Sequence, residues 1–148
     1  MPTYKATIHS PHPQQTVFQY LANFQSVKEW DPSVWAAQAL TDPYRTGAQF
    51  SVTLRFLGRE SVFTYETIAF EEPHRVVLQA KNKTVTSLDT ITIQPHPEGG
   101  TTVTYLAKLS LHGIFQIVTP VIAFFFQRLG DNAKRGLTQA LNGATLDL

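Results

Sequence analysis

Apolar and polar residues alternate with a period of two through the middle of the chain, while both ends of that region change to helical spacing. Thr3 to His9 alternates as a short strand. Ser10-Pro-His-Pro13 supplies a helix start, and Gln14 to Ala22 sets Val17, Phe18 and Leu21 at helical spacing. Asn23 to Glu29 predicts a short second helix. Trp30-Asp-Pro32 stops it, because the residue before a proline avoids the helical region.

From Val34 the alternation returns. Val34 to Leu40 is one strand, and Thr41 to Gly47 is a loop. Gln49 to Leu57 puts Phe50, Val52, Leu54 and Phe56 on one face. Gly58-Arg59 reads as a two-residue hairpin turn, pairing Phe56 with Ser61, Leu54 with Phe63 and Val52 with Tyr65. The two apolar rows then share a face, and Thr53, Arg55 and Glu66 share the other. Glu71-Glu-Pro-His74 turns the chain into Arg75 to Lys81, and Asn82-Lys83 turns it again into Thr84 to Gln94. After the loop Pro95 to Gly100, Thr101 to His112 aligns Val103, Tyr105, Ala107, Leu109 and Leu111.

The chain ends in a helix. Thr119 can cap it and Pro120 suits its first position. Val121 to Leu141 would extend roughly 30 Å, with Ile122, Phe125, Leu129, Ala133, Gly136, Leu137 and Ala140 near one face. The order is strand, two short helices, six strands, long helix. An antiparallel sheet with one apolar face needs a cover, and only the last helix is long enough. A sheet curled around one helix leaves space between the two.

Asp89 stands out in the strand Val85-Thr-Ser-Leu-Asp-Thr-Ile-Thr-Ile93, where it falls on the apolar side. A carboxylate there must find a partner, take up a proton or face a water-filled space. A two-residue turn at Asn82-Lys83 pairs Leu78 with Ser87 and Val76 with Asp89, pointing Asp89 inward. A three-residue turn sends it outward, opposite Arg75, as a surface ion pair of little worth. The clustering of Val85, Ile91 and Ile93 favours the inward arrangement. Ser61, Tyr65, Thr67, Ser87 and Tyr105 share that inner face. Apolar walls with a few convergent polar groups describe a small-molecule site.

Composition narrows the classes. Apolar residues make up 43% of the 148 positions and charged residues 16%, which fits one ordinary globular domain over residues 1–148. A net charge of +1, with scattered lysines and arginines, argues against a nucleic-acid partner. The absence of cysteine excludes disulfides and thiol-ligated metals. None of the five histidines has metal-site spacing, so neither a metal nor another cofactor is expected. No apolar leader opens the chain, which makes the cytoplasm the expected location. The run Ile114 to Phe126 is too short for stable membrane insertion. An exposed ring in Phe124-Phe-Phe126 would mark a homodimer contact or a lip that touches a membrane.

Several runs together resemble the START-type, helix-grip (SRPBCC) superfamily, and within it the polyketide cyclase/dehydrase family. They are "FQYLANFQSVKEWDP" after the "SPHP" helix start, "FLGRE" at the central hairpin, "EEPHRVVLQ", "DTITIQP", and "GGTTVTYLAKLSLHG" leading into the last helix. The resemblance implies an α+β helix-grip fold. A curved antiparallel sheet of about seven strands would wrap a long C-terminal helix, with two short helices after the first strand. It also implies a cavity for lipids, polyketides or similar apolar molecules. Some members catalyse cyclisation or dehydration and many only bind.

The expected ligand-binding residues are Trp30, Phe50, Val52, Leu54, Phe63, Tyr65, Leu78, Ser87, Asp89, Tyr105, Phe125 and Leu129. Asp89, with Tyr65 and Tyr105, is the candidate acid–base group. Three readings stand: a binder of a hydrophobic small molecule, an enzyme of the cyclase/dehydratase kind, and an interaction module whose cavity is filled by its own side chains.

Overall fold

The computed structural model describes residues 2–56 and 58–142. Seven strands form one antiparallel sheet: β1 (Thr3–Ser10), β2 (Val34–Ala39), β3 (Gln49–Phe56), β4 (Arg59–Glu71), β5 (Arg75–Lys81), β6 (Val85–Pro95) and β7 (Thr101–Leu111). Their order across the sheet is β1-β7-β6-β5-β4-β3-β2. Strands β2 to β7 follow one another as hairpins, while β1 pairs with β7 at the far edge. Helix α1 (Gln14–Ala22), a 3₁₀ turn (Phe24–Ser26) and helix α2 (Val27–Trp30) carry the chain from one edge to the other. A second 3₁₀ turn (Gly113–Val118) leads into α3 (Thr119–Asn142), which the sheet curls around. The hydrophobic pattern predicts this order, although not the 3₁₀ turn before α3.

Alternation explains the faces. In β1 every second residue is buried, from Tyr4 through Ala6 and Ile8 to Ser10. Irregular registers at Thr67/Ala69 in β4 and Val34/Ala36 in β2 supply bulges, the usual device for bending a sheet. Helix α1 buries Val17, Phe18 and Leu21, as its spacing predicts. Phe18 meets Phe70, and Phe24 meets both Phe50 and Tyr65. At the end of α3, Leu137 and Leu141 are buried, and the Ser10 hydroxyl donates to the Leu141 carbonyl at 2.6 Å.

Both expected hairpin registers are corrected by two residues. Phe56 pairs with Arg59, so Leu54 faces Ser61, Val52 faces Phe63 and Phe50 faces Tyr65. Gly58 lies in this turn with a φ of 77°; residue 57 lies outside the described residues. In the next hairpin Lys81 pairs with Thr86, so Leu78 faces Asp89 and Val76 faces Ile91. The Asn82 side chain accepts the backbone N–H groups of Thr84 and Val85, which holds this longer turn. A shift of two leaves every side chain on its expected face, because the pleat repeats every two residues.

Two glycines set how close α3 lies to the rest. A methyl group on Gly136 would overlap the carbonyl of Trp30, and one on Gly130 would overlap the Tyr4 ring. Helix α3 therefore packs against α2 and β1 at a separation that only glycine allows at those two positions. Tyr4 completes the contact by donating its hydroxyl to Asp131 at 2.8 Å.

Candidate functional site

A cavity of about 310 Å³ lies between the sheet and α3. That is within the range of small-molecule sites, about 300–1,000 Å³. Its sheet wall comes from β1, β3, β4, β6 and β7, and its opposite wall from Ile122, Phe126, Leu129, Gly130, Ala133 and Leu137 of α3. Ile122, Phe126, Leu129, Ala133 and Leu137 recur every three or four residues, as one helix face does, with Gly130 and Lys134 beside them. Burial increases along the elements. Ile122, Phe126 and Leu129 are half-buried and Leu137 is buried; Val85 to Leu88 are half-buried and Ile91 and Ile93 are buried. The cavity thus opens at the N-terminal end of α3 and closes toward its C-terminal end. Among the described residues, Phe63 and Phe126 line it without filling it.

Asp89 points inward, at the step between the open half and the packed half. Tyr105 donates its hydroxyl to Asp89 Oδ2 at 2.6 Å, and Ser87 donates to Oδ1 at 3.2 Å. Burial pushes the Asp89 carboxyl up to about 6; the Tyr105 and Ser87 hydrogen bonds pull against that, and the charge of Asp31 adds to it. Burial raises the Tyr65 and Tyr105 hydroxyls well above the ordinary phenol range, reinforced by the negative charge of Asp89. Both phenols therefore stay protonated; Tyr105 gives its hydrogen to Asp89, and Tyr65, beside Ser87, keeps a hydroxyl able to donate or accept. Ionised Asp89 accepts hydrogen bonds, and protonated Asp89 also donates one.

A second carboxyl, Asp31, also lines the cavity, and sequence reasoning missed it. The backbone N–H and hydroxyl of Ser33 donate to its Oδ1 at 2.9 and 2.7 Å. Burial raises its pKa, opposed by these two donors. An Asp two residues before a Ser, just past a helix stop, was the available signal, since this spacing favours a local side-chain turn.

Eight of the twelve expected ligand-binding residues line the cavity: Trp30, Leu54, Phe63, Tyr65, Ser87, Asp89, Tyr105 and Leu129. Four do not. Phe50, Val52 and Leu78 are sealed in the hydrophobic core, where Phe24 covers Phe50. Phe125 packs edge-on against Phe124, and Phe126 and Ile122 face the cavity instead. Thr67, expected beside them, is fully buried away from the cavity. Trp35 stands exposed with the Arg55 guanidinium 4.4 Å over its ring. Trp30 is buried, lines the cavity and meets Tyr105 edge-on. Among the described residues, no cluster of His, Asp or Glu could hold a metal, and no helix is long and apolar enough to cross a membrane.

A curled antiparallel sheet gripping one long helix, with a cavity between them, defines a protein of the START-type helix-grip class. The chain belongs to the family described as "Polyketide cyclase / dehydrase and lipid transport", whose profile matches residues 1–142. No curated protein matches it. Solved structures share the fold. A START superfamily protein from Mycobacterium smegmatis is 12% identical with a TM-score of 0.76, covering 94% of this chain and 96% of its own. A protein from Thermus thermophilus is 15% identical with a TM-score of 0.76, covering 95% and 97%. One from Chromobacterium violaceum is 14% identical with a TM-score of 0.68, covering 97% and 99%.

Proposed function

We propose that this chain binds a hydrophobic small molecule, lipid-, polyketide- or aromatic-like, between the sheet and α3. The ligand's polar group would meet Asp89 and the hydroxyls beside it. One observation carries this reading: an apolar cavity of about 310 Å³ contains a buried carboxyl held by Tyr105 and Ser87. Apolar walls provide affinity through area removed from water, and a few fixed polar groups orient the ligand. A ligand hydroxyl is the natural partner, because ionised Asp89 has acceptor capacity beyond its two hydroxyl donors.

Native mass spectrometry of freshly purified protein, followed by extraction and identification of the bound molecule, tests this directly. A retained apolar molecule is the expected result. A clean apo mass, together with no uptake of a fluorescent apolar probe, would sink the proposal.

The raised pKa of Asp89 favours a second reading, acid–base catalysis of a cyclisation or dehydration. Tyr65 would then donate to a carbonyl oxygen of the substrate, while Tyr105 holds Asp89. Asp89→Asn separates the two readings. A binder keeps most of its affinity, whereas an enzyme also keeps binding but loses turnover. Equal turnover in both forms would remove Asp89 from any catalytic role.

A further inference from the structure

The end of the molecule at which the cavity opens carries two features that the binding reading does not use. The first is an apolar stripe. Ile114 and Ile117 in the 3₁₀ turn are 83% and 86% exposed, and Val121 and Phe124 on α3 are 55% and 62% exposed. From Gly113 to Gln127 the chain has no charged residue. Large apolar side chains this exposed and this close together mark a contact surface. The stripe adjoins the opening, because Ile122 and Phe126 of the same segment line the cavity.

The second feature is charge. The turns β3–β4 and β5–β6 lie at this same end, and the backbone N–H of His112 donates to the Thr84 carbonyl at 2.8 Å. They carry exposed Arg59, Lys81 and Lys83 against a single carboxylate, Glu60. Arg128 stands exposed one turn beyond Phe124, followed by exposed Asp131, whose carboxylate accepts the Tyr4 hydroxyl. The opposite end holds the other turns and is acidic, with Asp42, Glu71, Glu72 and Glu98 against Arg45 and Arg75. The molecule is therefore polarised, with its cationic end around the apolar stripe and the cavity mouth.

We propose that this end docks on an anionic lipid bilayer. Ile114, Ile117, Val121 and Phe124 enter the head-group layer, and Arg59, Lys81 and Lys83 meet anionic head groups. Apolar insertion beside a few cations is the general recipe for peripheral binding to such a surface. A second copy of the chain fits less well. A two-fold interface places the same patch on both sides, so the cationic turns of both copies would face one another. Docking would set the cavity mouth against the membrane, where an apolar ligand could pass without crossing water.

Vesicle flotation tests this, using phosphatidylcholine alone and phosphatidylcholine mixed with phosphatidylglycerol. The protein is expected to float with the mixed vesicles and to be released by salt. Ile117→Ser and Phe124→Ser should each lower the bound fraction severalfold with little change in thermal melt, because both side chains are mostly exposed and Phe124 touches only the edge-on ring of Phe125 among the aromatic side chains described. Lys81→Glu with Lys83→Glu should abolish the preference for anionic vesicles. Wild-type protein that stays in the aqueous fraction with both vesicles overturns the proposal. So does concentration-dependent dimerisation that Phe124→Ser removes while no vesicles are bound, since the stripe would then belong to a second copy. Vesicle binding needs no occupied cavity, so this proposal and the ligand-binding reading can fail separately.

Discussion

Tyr105 reaches Asp89 diagonally across two neighbouring strands. In the ladder Asp89 faces Ala107, and Tyr105 faces Ile91, yet the phenol hydroxyl comes within 2.6 Å of Asp89 Oδ2. A long aromatic side chain can span such a diagonal. The residue directly opposite Asp89 is a small alanine, which leaves open space beside the carboxyl. The acid is thus held from one side and open to the cavity on the other.

Tyr105→Phe should raise the Asp89 pKa above about 6, because the lost hydrogen bond favoured the ionised form. It should also cost about 1–3 kcal/mol at neutral pH, the penalty for leaving a buried acceptor short of a donor. A carboxyl-detected NMR titration reads the first effect and urea unfolding the second. An unchanged or lower Asp89 pKa would mean that the hydrogen bond does not govern the acid.

Asp89 also makes stability depend on pH. Its folded pKa is raised, so the folded state holds the proton more tightly than the unfolded state does. The resulting stabilisation is complete below the unfolded value of 3.8 and is lost as pH rises through about 6. That displacement corresponds to at most about 3 kcal/mol. Asp31 is raised too and acts in the same direction. Asp89→Asn should therefore flatten, though not abolish, the fall in stability across this window. Urea unfolding of both forms from pH 4 to pH 7 makes the comparison; parallel curves would contradict it.

Gly136→Ala tests how α3 is seated. Its methyl group would collide with the Trp30 backbone carbonyl, which has no rotamer by which to move aside. A loss of about 1–3 kcal/mol is expected, as for other overpacked contacts. Because Trp30 lines the cavity and meets Tyr105, probe uptake should fall as well. A thermal melt matching the wild type would show that α3 can shift freely, and that the glycine is not required there.

Alternation along the chain determines which face each side chain takes but not its partner across the sheet. The pattern sets Leu54 opposite Phe63, and it lies opposite Ser61; it sets Leu78 opposite Ser87, and it lies opposite Asp89. Both shifts are even, so Asp89 still points inward. The boundary between packed core and cavity was not legible. Phe50 and Leu54 sit in the same row of β3, and only the fold of the 3₁₀ turn puts Phe24 over one and not the other. Phe125 and Phe126 differ by one helical step, and spacing alone leaves the rotation of α3 open by that much. Asp31 lies in no periodic segment at all. The helix stop at Trp30-Asp-Pro32 and the spacing to Ser33 were legible, but not that the end of α2 lies at the cavity wall.

The same boundary can be probed by filling one side of it and emptying the other. Ala107 lines the cavity directly opposite Asp89, so the side chain in Ala107→Phe would enter open space and not packed atoms. The usual overpacking cost should be absent, leaving the melting temperature equal to wild type or higher. Ligand or probe affinity should fall about tenfold or more, since apolar area once available to the ligand is taken by the ring. Leu78→Ala makes the opposite change on the other neighbour of Asp89. Leu78 is fully buried in the core, so its truncation should cost about 2–5 kcal/mol. Affinity measured well below the melting temperature should change little, because Leu78 forms no part of the cavity wall. Thermal melts and probe titrations on both variants give the comparison. If Ala107→Phe binds as tightly as the wild type, the ligand does not occupy this cavity.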